Sequence, residues 1–217
     1  ESHQKAAAAY ECGFFKDLVV PFRGLDRDGI LRPDTTLEKL ATLKPAFDKR
    51  SGQGTLTAGN STNLSDGASA ALLASEQWAQ AHNLPVQAWL VDAQVAAVDF
   101  EHGEGLLMAP TVAVAQLLQR RGLTLRDFDF YEIHEAFAAQ VLCTLAAWES
   151  DAYCRERLGP PGPLGSIDRS KLNVVGSSLA VGHPFAATGA RIVATAAKLL
   201  AERGSGRALI SICTAGG

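Results

Sequence analysis

Three residues with acid–base or nucleophilic side chains follow segments that are predicted to be strands. They are His134 in Tyr131-Glu-Ile-His-Glu-Ala-Phe137, His183 in Val181-Gly-His-Pro-Phe185 and Cys213 in Ser211-Ile-Cys-Thr-Ala-Gly-Gly217. In open α/β sheets, ligands bind beyond the carboxyl ends of the strands. Two imidazoles and a thiol at three such positions therefore predict a single site for proton transfer or nucleophilic chemistry.

Each of these residues also has an ordinary structural explanation. A histidine after a strand often bonds a nearby carbonyl, and a cysteine that ends an apolar strand is usually a small core residue. The neighbouring glycines favour function, since Gly182 and Gly189 flank a tight turn into a helix and Ala215-Gly216-Gly217 is predicted to be a turn. Backbone amides in such turns can approach a ligand, stabilise an oxyanion and lower the pKa of a nearby thiol.

The elements that must position these residues alternate between strands and helices from about residue 54 onward. The predicted strands are 55–58, 87–98, 128–133, 173–175 and 208–212, and the predicted helices are 66–82, 110–121, 135–148 and 188–203. Segment 87–98 is apolar on both faces, which is typical of a sheet covered on both sides. Helix 188–203 is apolar around most of its circumference, which predicts a buried helix. This alternation predicts an α/β domain, a mixed β-sheet with helices on both faces.

Residues 1–53 are less regular and are predicted to lie over the main body, residues 54–217, as a separate region. They contain several turn signals and one short helical pattern from Leu37 to Leu40, which Asp34 or Thr35 is placed to cap. The chain begins with Glu1, and its only methionine is Met108. It is therefore expected to be a piece of a longer protein.

Composition excludes several classes of function. With 217 residues, 47% hydrophobic and 20% charged, the chain is expected to be globular, and its net charge of −3 argues against nucleic-acid binding. No apolar run is long enough to predict a membrane span. The four scattered cysteines predict a reducing, cytoplasmic location, and the cysteines and histidines lack the spacing of a zinc site, so no metal is expected. The stretch Asp26-Arg-Asp28-Gly29 lacks the remaining ligands of a calcium loop and is predicted to be a polar turn.

Four motifs resemble those of the thiolase family and occur in the family's order across residues 59–217. They are Gly59-Asn60 with Asp66-Gly67-Ala68, His134-Glu-Ala-Phe-Ala138, Gly182-His183-Pro184 with Gly189-Ala190-Arg191, and Cys213-Thr-Ala-Gly-Gly217. Their form is most similar to that of the fatty-acid-oxidation thiolases. The resemblance implies the C-terminal half of a thiolase-like layered fold. Residues 1–53 would be part of the CoA-covering loop region, and 54–217 the C-terminal domain without its last strand.

The resemblance also implies a reaction, namely acyl transfer between coenzyme A thioesters, either cleavage of a 3-ketoacyl-CoA or condensation of two acyl-CoAs. It implies CoA and acyl-CoA as substrates, no permanently bound cofactor, and a homodimer or homotetramer of the full-length protein. Cys213 would move a proton to or from the α-carbon, and His183 would activate the nucleophile and help to hold a thioester oxygen. His134 would occupy the position where many members have an asparagine that orients a water in the same oxyanion site. The positions implied to bind substrate or CoA are Thr62, Ala136, Phe137, Ala215 and Gly216.

One part of the family's chemistry has no match in this chain. Thiolases are acylated on a second cysteine in their N-terminal half, and Cys12 lacks the motif that surrounds that residue. The chain is therefore expected to carry the acid–base half of a site, to need the N-terminal half of the same protein as a partner, and to be inactive alone. Two alternatives stay open at this point, a ketosynthase-type condensing enzyme that works with two histidines and a non-catalytic acyl-CoA or lipid-carrier module. The thiol of Cys213 favours a thiolase over both.

Overall fold

The structure is a computed structural model that describes residues 1–103, 105–159 and 162–214. Its helices and strands are, in chain order, α1 (Ser2–Glu11), α2 (Leu37–Ala41), α3 (Glu76–Ala81), α4 (Ala109–Arg121), β1 (Phe130–Ile133), α5 (Ala138–Glu149), α6 (Asp151–Tyr153), α7 (Ser178–Val181), α8 (Thr188–Arg203) and β2 (Ala208–Ser211). Short 3-10 turns occur at Leu125–Asp127 and Arg169–Lys171, and a π-helical turn at Cys154–Leu158 continues α6.

The centre of the fold is the parallel pair β1 and β2, in which Phe130 lies opposite Ala208 and Ile133 opposite Ser211. Two parallel strands need a long crossover connection, and here it contains α5 to α8. Because successive side chains of a strand point to opposite faces, Tyr131 and Ile133 share one face and Phe130 lies on the other.

Each face of the strand pair is covered by its own apolar cluster. The cluster on the first face joins β1 and β2 to α4 and α5 around Trp148, which is wholly buried. The cluster on the second face joins Phe130 to Phe14, which follows α1, and to Leu199 on α8. Helices therefore cover both sides of the sheet, and the predicted α/β layered fold is confirmed. Within the described residues the sheet has two parallel strands.

Two predicted helices agree closely with the structure. Helix α4 begins beside Pro110 and ends at Gly122, whose φ of 61° provides the left-handed conformation that commonly ends a helix. Helix α8 covers Thr188–Arg203 as predicted, and Ile192 and Ala196 are among its buried residues. Short-range signals were sufficient to place these helices, namely the proline at the start of α4 and the glycine that follows the end of each helix.

The prediction of a strand at 87–98 is wrong for the structure, in which this segment joins no β-ladder. Several of its apolar side chains are largely exposed, among them Trp89, Leu90 and Val95. A strand is stabilised by hydrogen bonds to a neighbouring strand, and no described residue pairs with this segment. A β-prone sequence alone therefore did not fix its conformation.

The predicted helix from Asp66 to His82 is also wrong over most of its length. Only α3 is helical, and the side chain of Ser75, not that of Asp66, caps it by accepting a hydrogen bond from the Trp78 amide. The preceding Leu72 and Leu73 are 73% and 70% exposed, so a helix there would gain no burial.

Three smaller differences concern turns and strand ends. The cap of α2 is Thr36 and not Asp34 or Thr35, since its side chain accepts from the Lys39 amide. The predicted strand 173–175 does not form, because Asn173 has a positive φ of 45° that ends the pairing after Leu172. Residues 55–58 contribute one isolated bridge, between Pro45 and Thr57. None of the helices in the described part of the chain is both long enough and apolar enough to cross a membrane.

Candidate active site

The two strands bring His134 and Cys213 to the same edge of the sheet. His134 directly follows β1, Cys213 lies two residues after the end of β2, and the His134 amide donates to the Ser211 carbonyl at 2.9 Å. Both residues are enclosed, with 2% of His134 and 9% of Cys213 exposed. They line one cavity of about 10 Å³, close to the space that one water requires. The other lining residues are Pro110, Ile133, Gln140, Val141, Thr144 and Ser211.

His183 reaches this region from the turn between α7 and α8. Its ring centroid lies 4.3 Å from that of His134, with the two ring planes tilted by 48°. The turn begins at Gly182, whose φ is 83° and where a Cβ would overlap Ser65, so a side chain there would displace the turn. The His183 amide donates to the Asn63 carbonyl at 3.0 Å, which anchors the turn to the preceding segment.

The hydroxyl of Thr188 orients the His183 ring. Thr188 Oγ1 lies 2.6 Å from Nδ1 of His183 and donates to the Pro184 carbonyl at 3.2 Å. With its proton directed to that carbonyl, the hydroxyl oxygen accepts Nδ1–H of the ring. Nε2 of the neutral ring then keeps its lone pair, which is the form that a general base requires.

Burial keeps both imidazoles neutral. Burial, with smaller contributions from His183 and Arg191, lowers the pKa of His134 to about 3. Burial and then the charge of Arg191 also lower the pKa of His183. Neutral rings can accept or donate a single proton, and both are therefore available for proton transfer near pH 7.

The expectation of a lowered pKa for the Cys213 thiol is wrong for the described structure. Burial raises the pKa of Cys213 and outweighs the nearby backbone amides, which act in the opposite direction. The glycine turn that was expected to lower the pKa, together with the predicted site residues Ala215 and Gly216, lies outside the described residues. A thiol with a raised pKa is protonated at neutral pH and can donate its proton.

A layer of polar side chains lies behind the His134 ring. Ser178 Oγ is 2.8 Å from Nδ1 of His134 and accepts a hydrogen bond from Nη2 of Arg191 at 2.9 Å. Glu132 on β1 is fully buried, and its pKa is raised to about 8, mainly by burial, although Arg191 acts in the opposite direction. Neither of its carboxylate oxygens has a hydrogen-bond partner among the described residues.

Glu135 connects this layer to the surrounding elements. Its Oε2 accepts from the Ser2 hydroxyl at 2.7 Å and from the Leu179 amide at 3.1 Å, and its Oε1 accepts from Asn173 at 3.1 Å. One carboxylate thus joins α1, α7 and the segment after the 3-10 turn at Arg169–Lys171. These bonds fix the position of Glu135, which directly follows His134 in the chain.

Three of the predicted substrate-binding positions lie together beside the histidines. The Thr62 amide donates to the Ala136 carbonyl at 3.0 Å, and the Thr62 hydroxyl donates to the Ser178 carbonyl at 2.8 Å. The ring of Phe137 packs edge-on against Phe47, with centroids 5.8 Å apart. The 54–68 segment is therefore fixed against the loop between β1 and α5.

Sequence reasoning missed Ser178, Arg191 and Glu132 as parts of this site. A charged residue on an otherwise apolar helix was a signal for Arg191, which stands inside the Gly189-Ala190-Arg191 motif. Ser178 and Glu132 gave no such signal, since their roles depend on contacts across the fold. No group of three or more histidine, cysteine or acidic side chains suited to a metal ion occurs among residues 1–103, 105–159 and 162–214. All four cysteines are free.

Comparison with known proteins identifies the family of this α/β domain, in which two imidazoles face each other and a buried thiol follows a strand. The family model "Thiolase, C-terminal domain" matches residues 84–217, and "Thiolase, N-terminal domain" matches residues 1–77. The chain belongs to the thiolase family. The two models leave residues 78–83 between them, and the predicted division between 53 and 54 stays a prediction.

Particular relatives give a finer comparison. The chain is 43% identical over 222 residues to proteins named 3-ketoacyl-CoA thiolase from Yersinia pestis and Yersinia pseudotuberculosis, covering 100% of this chain and 50% of theirs. The solved acetyl-CoA acetyltransferase of Bacillus anthracis superposes with a TM-score of 0.78 at 36% identity, over 100% of this chain and 51% of that one. The solved structure of human mitochondrial 3-ketoacyl-CoA thiolase in complex with CoA superposes with a TM-score of 0.77 at 34% identity, over 100% of this chain and 50% of that one. The chain therefore spans about half the length of these relatives.

Proposed function

We propose that the protein containing this chain is a thiolase that exchanges acyl groups between CoA thioesters, by cleavage of 3-ketoacyl-CoA or by the reverse condensation. The observation that carries the proposal is the meeting of two neutral imidazoles, 4.3 Å apart, with Cys213 lining the same cavity as His134. The family and the names of its relatives support the same chemistry.

The three side chains have separate roles in this proposal. His183, with Nδ1 bonded to Thr188, presents Nε2 as the base that activates a nucleophile. Cys213, protonated because its pKa is raised, exchanges a proton with the α-carbon or the leaving thiol. His134 contributes to the site that holds the thioester oxygen.

We place CoA in this proposal as a substrate and not as a resident cofactor. Thr62, Ala136 and Phe137 lie beside the histidines, which suits residues that line the channel for the pantetheine arm. Ala215 and Gly216 are proposed to supply backbone amides to the acyl-enzyme oxyanion. The solved human relative in complex with CoA supports this choice of substrate.

The remainder of the site is proposed to come from the N-terminal half of the same protein. Cys12 and Cys143 are exposed and do not line the cavity of His134 and Cys213, and Cys154 is bonded to the carbonyls of Ala147 and Trp148, so none of these thiols suits the nucleophile. These 217 residues alone are therefore expected to show no thiolysis. The complete protein is expected to be a cytoplasmic homodimer or homotetramer.

The experiment replaces Cys213 by serine in the complete gene product and measures thiolysis of a 3-ketoacyl-CoA. Serine is a poor acid and base at neutral pH, so kcat/KM is expected to fall by about 10²–10⁴-fold. The matched control is Cys154→Ser, because this thiol is also buried but is bonded to the carbonyls of Ala147 and Trp148 and does not line the cavity. Activity unchanged by Cys213→Ser would contradict the proposal.

A second candidate is a ketosynthase-type condensing enzyme, which the two facing histidines favour. The same experiment separates the two, since a ketosynthase depends on its histidines and not on a thiol at position 213. Loss of activity in His134 and His183 variants together with full activity of Cys213→Ser would favour this candidate.

A further inference from the structure

The His134 ring has one nitrogen engaged by protein and one without a partner. Nδ1 lies 2.8 Å from Ser178 Oγ, whereas Nε2 has no hydrogen-bond partner among the described residues although the side chain is buried. A buried imidazole nitrogen without a partner is costly, and such groups are often reserved for a ligand. Which nitrogen carries the proton decides whether Nε2 donates or accepts there.

Arg191 settles the direction of the bond between Ser178 and His134. A guanidinium can only donate, so Ser178 Oγ accepts from Arg191 Nη2. Ser178 Oγ has two partners among the described residues, Arg191 and His134. If Nδ1 of His134 also donated, the serine proton would have no acceptor in a buried site. The serine therefore donates to Nδ1, which must be unprotonated.

We propose that Ser178 and Arg191 are positioning residues, which together hold the neutral His134 ring with its proton on Nε2, so that this ring serves the site as a hydrogen-bond donor. Arg191 fixes the serine as a donor, the serine fixes the tautomer, and the Nε2–H is left for the oxygen of a bound thioester or for a water that contacts it. His183 has the opposite arrangement, since its Nδ1–H is donated to Thr188. The two facing rings thus present one donor and one acceptor.

The burial of His134 supports the same assignment. Because its pKa is lowered to about 3, the ring does not become a doubly protonated cation near neutral pH, and one tautomer can persist. The groups around it are His183, Arg191, Ser178 and Cys213, which lines the same cavity, and Glu132 lies two residues earlier on β1. Burial raises the pKa of Cys213 and raises that of Glu132 to about 8, so at neutral pH none of these groups is an anion that would favour a second proton. The donor is therefore uncharged and matches an oxygen that gains negative charge only during reaction.

The inference rests on the proposed function for its kinetic consequence but not for its structural one. The structural test uses the complete gene product labelled with ¹⁵N-histidine, and two-bond ¹H–¹⁵N spectra distinguish Nε2–H from Nδ1–H rings. The histidine ring signals that are missing from the spectrum of the His134→Asn variant are assigned to His134. The expected result is a single Nε2–H tautomer that persists from pH 6 to pH 9. A ring protonated on Nδ1, or on both nitrogens, would overturn the inference.

The role of Ser178 is tested with a matched pair of serine variants. Ser178→Ala removes the donor to Nδ1, whereas Ser177→Ala removes a neighbouring, equally buried hydroxyl whose Oγ has no partner among the described residues. In Ser178→Ala the histidine signals should shift toward an average of both tautomers, and kcat for thiolysis should fall about 10–100-fold, as found for outer-shell partners of functional histidines. In Ser177→Ala the histidine signals and kcat for thiolysis should both stay unchanged. An unaltered tautomer and kcat in a folded Ser178→Ala protein would refute the role.

A double variant separates positioning from structural damage. An asparagine amide donates hydrogen bonds in any environment, so in the His134→Asn background Ser178→Ala should change kcat less than twofold. An undiminished effect of Ser178→Ala in that background would show that Ser178 does not act through His134. If the parent protein has no thiolase activity, the proposed function fails while the ¹⁵N spectra still decide the tautomer.

Discussion

Replacing Glu132 by glutamine should stabilise the protein, and the gain should increase with pH. Glu132 on β1 is fully buried, without a hydrogen-bond partner for either carboxylate oxygen among the described residues. Burial raises its pKa from 4.5 to about 8. The folded protein therefore binds a proton that the unfolded chain releases between these two values. Stability is complete below pH 4.5 and is lost as pH rises towards pH 8.

The size of the effect follows from the two pKa values. Each pH unit between them costs about 1.4 kcal/mol, so the penalty from Glu132 reaches about 1 kcal/mol at pH 5 and about 3 kcal/mol at pH 7. Glutamine has nearly the same shape and no charge to desolvate. The difference in unfolding free energy between Glu132→Gln and the parent should therefore grow by about 2 kcal/mol from pH 5 to pH 7.

Urea unfolding at pH 5, 6 and 7, followed by tryptophan fluorescence, measures this difference. The control is Glu149→Gln, the same substitution at an exposed position at the end of α5. If Glu132 is instead ionised and paired with Arg191, glutamine will destabilise the protein at pH 7. That result, or a difference that does not vary with pH, would refute the reasoning.

Three other substitutions test the packing around the sheet, each by urea unfolding. Lys198→Met keeps the buried stem of the side chain but removes its hydrogen bonds to the Phe14 carbonyl and to Asp17. The free energy of unfolding should fall by about 1–3 kcal/mol. An unchanged value would mean that these bonds do not hold the segment after α1 against α8. Trp148→Ala removes a wholly buried ring from the cluster on the first face and should lower the free energy of unfolding by about 3–5 kcal/mol. A decrease of less than about 1 kcal/mol would contradict the placement of this ring in the core. Gly176→Ala should cost at least about 1 kcal/mol, because φ there is 77° and the new Cβ would lie 2.6 Å from the Ser2 carbonyl oxygen; a neutral result would contradict the close approach of α1.

The parts of the fold that sequence predicted well are those fixed by local chemistry. Pro110 and Gly122 define the two ends of α4 regardless of what surrounds it. The strand at 87–98 shows the opposite case, since strand formation needs a partner that the local sequence does not reveal. Asp66 has the residue type of a helix cap, but Leu72 and Leu73 are exposed, so no apolar packing is available to stabilise a helix after it.

For the candidate site, the sequence identified the titratable side chains that meet there but not the residues that hold them. His134 and Cys213 follow strands as predicted, where ligands of open α/β sheets bind, whereas His183 follows the helix α7 and not a strand. The serine and arginine behind His134 come from two different helices, and only the folded chain shows that they share a hydrogen bond. The prediction of a lowered pKa for Cys213 failed for a related reason, because residue type and turn glycines do not show how deeply a thiol is buried.

Burial is the main physical reason to propose Cys213 for proton transfer and not for nucleophilic attack. It raises the pKa of the thiol and lowers the pKa of both imidazoles, so a thiolate–imidazolium pair is disfavoured at rest. A nucleophilic cysteine needs the opposite shift, since the thiolate is the attacking form. A proton carrier must instead hold its proton until a basic carbon or sulfur appears and recover it later. The environment of Cys213 therefore supports the proposed acid–base role, in which a different group is the nucleophile.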